Sequence, residues 1–136
     1  MILSEYGETW FDYIESLVMK RVRTGLENKG IEASFTTEAK NVSNTELPCV
    51  YLHDLEGSEM GNTLINDGVN AVRSYIQIDV YATTKVDCRK ISRLALAQMK
   101  ALGYNANALT TILQDEVDLY HSITRFNRVI GSNDNI

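Results

Sequence analysis

Val69-Asn70-Ala71-Val72-Arg73-Ser74-Tyr75-Ile76-Gln77-Ile78-Asp79-Val80-Tyr81-Ala82 is the stretch that decides the fold. Its even positions Val72, Ile76, Ile78, Val80 and Ala82 are apolar, and its odd positions Arg73, Tyr75, Gln77, Asp79 and Tyr81 are polar or amphipathic. A period of two belongs to a strand with one buried face. At about 3.3 Å per residue the run reaches roughly 45 Å. That exceeds the usual strand of a small sheet, so part of it is expected to project from the body as one arm of a hairpin. The odd face mixes Tyr with both signs of charge. Such side chains join a large contact area to a polar end, which is why interfaces are rich in them. A solvated sheet face is the plain alternative.

Outward toward the N-terminus, residues 56–68 have no periodicity; Gly57, Gly61 and Gly68 fall among Ser58, Asn62, Asn66 and Asp67. This is a long connection, of the kind that is functional or mobile. Pro48 opens a strand over residues 49–55, a position where its missing N–H costs no ladder bond. Residues 38–46 read as a polar loop. Ile31, Ala33 and Phe35 alternate with Glu32, Ser34 and Thr36, another half-buried strand. Trp10, Ile14, Leu17, Val18 and Val22 recur at helical steps, extended by Tyr6 and Leu26. Ser4 is the expected N-cap, with Glu5 and Glu8 in the first turn, and Gly30 the expected C-cap.

Outward toward the C-terminus, Thr84 and Asp87 resemble a capping box. Cys88, Ile91, Ala95, Met99 and Leu102 form a helical stripe that ends at Gly103. Strands are expected near residues 105–113 and 119–130, with a turn over 114–118. The polar tail, 131–136, is expected to be loose. The fold class is therefore α+β in one domain, residues 1–136. Its order is α-β-β-β-α-β-β, with a mostly antiparallel sheet of about five strands and two helices packed on one face.

Composition narrows the function. The 136 residues suit one domain, with 44% hydrophobic and 23% charged residues. No apolar run is long enough for a membrane span, and residues 1–6 lack a signal-peptide pattern; the chain is expected to act without secretion or membrane. Cys49 and Cys88 lack metal-ligand spacing and read as reduced, packed thiols. A net charge of -5 argues against a dedicated nucleic-acid binder; on charge alone it reads as keeping the chain in solution, and it does not exclude a wall past which DNA slides without being gripped.

No strong catalytic motif emerges, and the chain reads as a non-enzyme without cofactor or metal. His53, Asp54, Glu56 and Glu59 form the best local cluster, but neighbours on a strand point to opposite faces. His121 reads as a packed or surface residue. Gly57-Ser58-Glu59-Met60-Gly61 lacks the Lys and helix of a phosphate loop. Asp115, Glu116 and Asp118 are too few for Ca²⁺ and read as a solvated turn. Arg125 and Arg128 flank Phe126 and, with Tyr75 and Tyr81, offer a weak platform for single strands, opposed by the acidic balance. Interface chemistry remains, with Glu56, Gly57, Ser58, Glu59, Met60, Arg73, Tyr75, Gln77, Asp79, Tyr81, Arg125 and Arg128 as candidate contacts.

Three stretches together resemble small tail proteins of long-tailed bacteriophages that infect Gram-positive hosts. They are Pro48-Cys49-Val50-Tyr51-Leu52 with Leu55-Glu56-Gly57-Ser58-Glu59, then Gly68-Val69-Asn70 with Tyr75-Ile76-Gln77-Ile78-Asp79-Val80-Tyr81, and Thr124-Arg125-Phe126-Asn127-Arg128-Val129-Ile130-Gly131. The resemblance implies a tail-terminator or tail-completion protein. Such a protein forms a homo-oligomeric, hexameric ring that caps the tail tube, stops its polymerisation and supplies the head-joining surface. The implied partners are the tail tube protein, a connector or neck protein, and genomic DNA passing through the lumen without sequence-specific binding. The implied location is the tail or neck of the virion, after assembly in the host cytoplasm. A neck, head-closure or other minor tail subunit is the alternative within the same resemblance. A closed ring needs two different patches per subunit.

Overall fold

The alternating run forms a strand over Ala71–Ala82 in the computed structural model of this chain, which describes residues 2–42, 47–55, 63–64, 71–107 and 111–136. In chain order the elements are α1 (Ile14–Asn28), β1 (Ser34–Thr36), β2 (Cys49–Asp54), β3 (Thr63–Leu64), β4 (Ala71–Ala82), α2 (Lys85–Ala101), β5 (Asn105–Ala106), β6 (Thr111–Glu116) and β7 (Leu119–Gly131). The class is α+β. The main sheet path runs β1-β2-β4-β7-β5, with β3 also on β4 and β6 also on β7. Only the β1–β2 pair is parallel among the described pairings.

Pairing carries β4 through the middle of the sheet. It runs antiparallel to β7 from Ala71↔Gly131 to Ala82↔Tyr120, and to β2 from Asp54↔Ile76 to Cys49↔Tyr81. Its even residues Val72, Ser74, Ile76, Ile78, Val80 and Ala82 are all buried. The expected projection of this strand is therefore corrected: over its described length β4 is the central core strand, and its partner β7 lies far along the chain. Its length is matched by that of β7, which supplies the cross-strand pairs a long strand needs.

The helices seal the even face. Ile14, Val18, Met19, Val22 and Leu26 of α1 join Cys88, Ile91, Ala95 and Met99 of α2 in one cluster with Val50, Leu52, Val72, Ile76, Ile78, Val80, Phe126 and Ile130. Four buried hydroxyls on this face are hydrogen-bonded, as burial requires. The Ser74 and Tyr104 hydroxyls lie 2.8 Å apart. Ser92 donates to Cys88 O at 2.6 Å and also meets the Ser122 hydroxyl.

Both helices end as expected, by one device. Gly30 N–H reaches Glu27 O while Ile31 N–H reaches Leu26 O; Gly103 N–H reaches Lys100 O while Tyr104 N–H reaches Met99 O. The glycines take φ 81 and φ 85, the left-handed geometry of a Schellman end. Thr84 caps α2 by accepting from Asp87 N–H at 3.1 Å.

Several expected boundaries are corrected. α1 does not begin at Ser4: two short 3₁₀ turns, Leu3–Tyr6 and Trp10–Tyr13, precede it. Gly7 at φ 95 separates them, which breaks helical continuity. Tyr6, Trp10 and Leu3 still reach the core or its margin. β1 starts at Ser34 because Ile31 is consumed by the helix end. The strand expected at residues 105–113 is divided into β5 and β6. The turn expected at 114–118 shrinks to residues 117–118, with Asp118 at φ 61, a conformation Asp tolerates. The tail expected to be loose is tied instead: Leu3 N–H bonds Asp134 O at 2.9 Å, Ser4 N–H bonds Ser132 O at 2.8 Å, and Ile2 bridges Asn135.

Candidate interface on the open sheet face

The odd residues of β4 face away from both helices. Register brings Tyr51 opposite Asp79 and His53 opposite Gln77 from β2. From β7 it brings His121 opposite Tyr81, Arg125 opposite Gln77 and Asn127 opposite Tyr75. Five expected contacts, Arg73, Tyr75, Gln77, Asp79 and Tyr81, thus share this face with Arg125. Glu56, Gly57, Ser58, Glu59 and Met60 lie outside the described residues.

Asp79 is the centre of the face. It is only 6% exposed although none of the described helices covers it, because rings from both neighbouring strands wall it in. His121 Nε2 lies 2.9 Å from Asp79 Oδ2, and Gln77 Nε2 donates to Oδ1 at 2.7 Å. Arg125 Nε donates to Gln77 Oε1 at 2.9 Å. The other nitrogen of His121, Nδ1, lies 3.4 Å from Asp115 Oδ2. A continuous polar chain therefore crosses β7, β4 and β6: Arg125, Gln77, Asp79, His121, Asp115. On the other side His53 Nε2 stands 3.9 Å from Asp79 Oδ1, too long for a hydrogen bond, and has no hydrogen-bond partner among the described residues.

Two aromatic pairs frame this chain. Tyr51 stacks on His53 with centroids 4.2 Å apart at 11°, and Tyr81 stacks on His121 at 4.1 Å and 17°. Residues i and i+2 of one strand share a face, which explains the first pair; directly opposed residues on antiparallel strands explain the second.

The bulge in β6 completes the arrangement. Gln114 pairs with Tyr120 and Glu116 with Leu119, leaving Asp115 without a register partner. Bulges re-aim side chains, and the Asp115 carboxylate meets the imidazole. Both ring nitrogens of His121 thus face carboxylates, and only the imidazolium donates to both.

Charge follows geometry. Burial pushes the Asp79 carboxyl up, but the hydrogen bonds from His121 and Gln77 and the nearby His53 hold it well below the usual carboxylate range. Burial pushes His121 down, and Asp79 and Asp115 outweigh it, so its pKa is raised. Burial, reinforced by Asp79 and Asp115, pushes the Tyr81 hydroxyl up to about 12. Cys49 is fully buried outside the main core cluster, and burial raises its thiol pKa. A reactive thiol needs the reverse shift.

Two expectations fail on strand parity or burial. Arg128 is not on this face: it stands opposite buried Ser74, donates through Nη1 to Leu102 O at 2.6 Å and pairs with Asp134 at 3.4 Å. It fastens the end of α2 and the tail. Phe126 is 1% exposed in the core, so it cannot stack a base. Asp54 stands opposite buried Ile76, on the other side of the sheet from His53 as strand alternation predicts, and its backbone N–H bonds Glu15 Oε2 at 2.8 Å. The convergence of His53 and His121 on Asp79 was not anticipated from sequence. Parity alone placed Asp79 on the odd face; the partners came with register.

Among the described residues no group of His, Cys, Asp or Glu is placed to hold a metal ion, and no helix is long and apolar enough to cross a membrane. No protein-family model matches the chain, and no curated protein matches its sequence.

Proposed function

We propose that this chain is a structural subunit of a phage tail, a ring-forming tail terminator that caps the tube, ends its polymerisation and offers a surface to the head. The observation that carries the proposal is the open sheet face. Its Tyr, His, Arg and Asp side chains are locked by hydrogen bonds and stacking, and among the described residues no helix packs over them. Pre-organised aromatic and charged side chains bind a protein partner at low entropic cost. The same groups are poorly arranged for proton transfer, because both nitrogens of His121 are engaged by carboxylates. The tail-protein resemblance of the strand motifs supplies the kind of assembly, and the homo-hexamer, tube and connector partners belong to it.

The test is removal from the phage. Particles lacking the chain are expected to have tails of uncontrolled length, or tails that never join heads. Tails of normal length joined to heads in its absence overturn the proposal. Normal-length tails left unjoined, with the chain located at the neck by electron microscopy, place it in head closure instead.

A further inference from the structure

α2 turns a basic face outward. It carries Lys85, Arg89, Lys90, Arg93 and Lys100 against the single acid Asp87, in a chain of net charge -5. None of these cations makes an ion pair among the described residues. Between them runs a shallow groove lined by Val86, Arg89, Lys90, Arg93 and Leu94. Val86 is 70% exposed there, which leaves an apolar floor with cationic rims open to water.

The turn between β6 and β7 has the complementary form. Val117 at its tip is 85% exposed, the most exposed large apolar side chain among the described residues. Glu116 precedes it and Asp118 follows it. The turn is thus an apolar tip between two acids. It lies at the end of the sheet where Ala82 pairs with Tyr120, the end at which α2 begins. Within one chain both tip and groove stay exposed, so the turn does not fill its own groove.

We infer that the β6–β7 turn of one copy docks into the α2 groove of the next, a head-to-tail contact that rests on the assembly reading above and names its interface. Val117 covers the Val86 and Leu94 floor, while Glu116 and Asp118 meet Arg89, Lys90 and Arg93. A contact between two different patches propagates and closes into a ring when its rotation permits. Opposite charges select the pairing and speed encounter, and salt weakens them. A phosphate backbone fits less well, because an apolar floor gives a phosphate nothing to bond.

The test uses the full chain and two variants. The groove variant carries Arg89→Glu with Arg93→Glu. The tip variant carries Glu116→Lys with Val117→Ser, and leaves Asp118 alone because its φ of 61 resists most replacements. All four positions are exposed, so unchanged circular dichroism is expected and is checked first. In sedimentation velocity from micromolar to millimolar concentration, the native chain is expected to self-associate, less strongly as salt rises. Each variant alone is expected to lose at least about tenfold in association, as like charges meet across the contact. An equimolar mixture of the two is expected to recover association that neither shows alone, since the intact tip of the groove variant meets the intact groove of the tip variant.

Native-like association of both variants shows that copies meet elsewhere; it overturns this contact and leaves the tail-assembly reading standing. A native chain that stays monomeric throughout overturns the contact as well. Salt-sensitive binding of a DNA duplex that the groove variant loses, with self-association unchanged, assigns the groove to nucleic acid. The reading of the chain as a tail terminator falls separately, on the tail phenotype.

Discussion

The two faces of the sheet are built from the same strands by opposite rules. On the helix face, Val72, Ile76, Ile78 and Val80 of β4 meet Phe126 and Ile130 of β7 under two helices, and the few hydroxyls there satisfy one another. On the open face, one residue along each strand, Gln77, Asp79, His121 and Arg125 form a hydrogen-bonded chain framed by stacked Tyr and His rings. The first face is held by area removed from water, which has no charge to titrate or screen. The second is held by charge and geometry, which respond to pH and salt. Hence the helix face carries the stability of the domain, and the open face carries a defined shape to present.

The largest expected effect breaks the sealed side. Phe126→Ala should cost about 3–5 kcal/mol in urea unfolding, through lost burial and the cavity left behind. A cost below about 1 kcal/mol would mean that Phe126 is not part of a tightly packed core.

Asp79→Ala strikes the open side. It leaves His121 with Asp115 as its remaining partner, and should cost about 2–3 kcal/mol. The pH profile identifies the cause. His121 is raised above its unfolded value, so its contribution is fully present below about pH 6.5 and is lost as pH rises through the folded pKa. Asp79 is depressed, so its contribution is present above about pH 4 and is lost as pH falls toward its folded value. The shared ion pair therefore stabilises most between those limits. Unfolding measured across pH should show the native chain losing stability above this window and the Asp79→Ala variant losing much less. Parallel profiles would remove His121 and Asp79 from the account.

Two arginines on one strand sharpen the contrast. Arg128→Ala should cost about 1.5–3 kcal/mol, because a charged donor to Leu102 O and the Asp134 pair are lost. Arg125→Ala should change stability by less than about 0.5 kcal/mol, as exposed positions usually do. Equal costs would mean that the two faces are not energetically distinct.

The smallest effect concerns the helix layer itself. A Cβ at Gly25 would collide with Gln98 Oε1, but that atom ends a flexible side chain that can swing aside. Gly25→Ala should therefore be stabilising by up to about 1 kcal/mol, from helix propensity. A loss of thermal stability would instead mark Gly25 as a required close approach of α1 to α2.

Much of this contrast was legible in sequence. Period-two alternation assigned Asp79, Gln77 and Tyr81 to one face and Ile76, Ile78 and Val80 to the other. The same parity separates Arg125 from Arg128, three residues apart on a strand. The two flank Phe126 in sequence but not in space, and Phe126 belongs with the core. Gly30, Gly103 and Thr84 marked helix ends because their roles are local. Register was not legible: nothing local says that His121 falls opposite Tyr81 or that Tyr51 falls opposite Asp79, since long-range pairing sets both. The start of α1 is not legible either, because the stripe from Tyr6 to Trp10 has helical spacing, while the positive φ of Gly7 that interrupts it is a backbone property with no periodic signature.

The β4–β7 pairing has a kinetic consequence. Its two strands are joined through α2, β5 and β6, so every rung from Ala71↔Gly131 to Ala82↔Tyr120 closes a long segment of chain. Local pieces such as α2 and the β6–β7 hairpin nucleate on far shorter timescales. Chain entropy must be surrendered before the central pair returns any contact energy, which slows folding in proportion to such non-local pairings. The central ladder of the sheet is thus set late, after the pieces that flank it in sequence. Two long strands with unsealed hydrogen-bonding groups are exposed meanwhile, which makes this interval the time at which copies of the chain are most prone to pair wrongly.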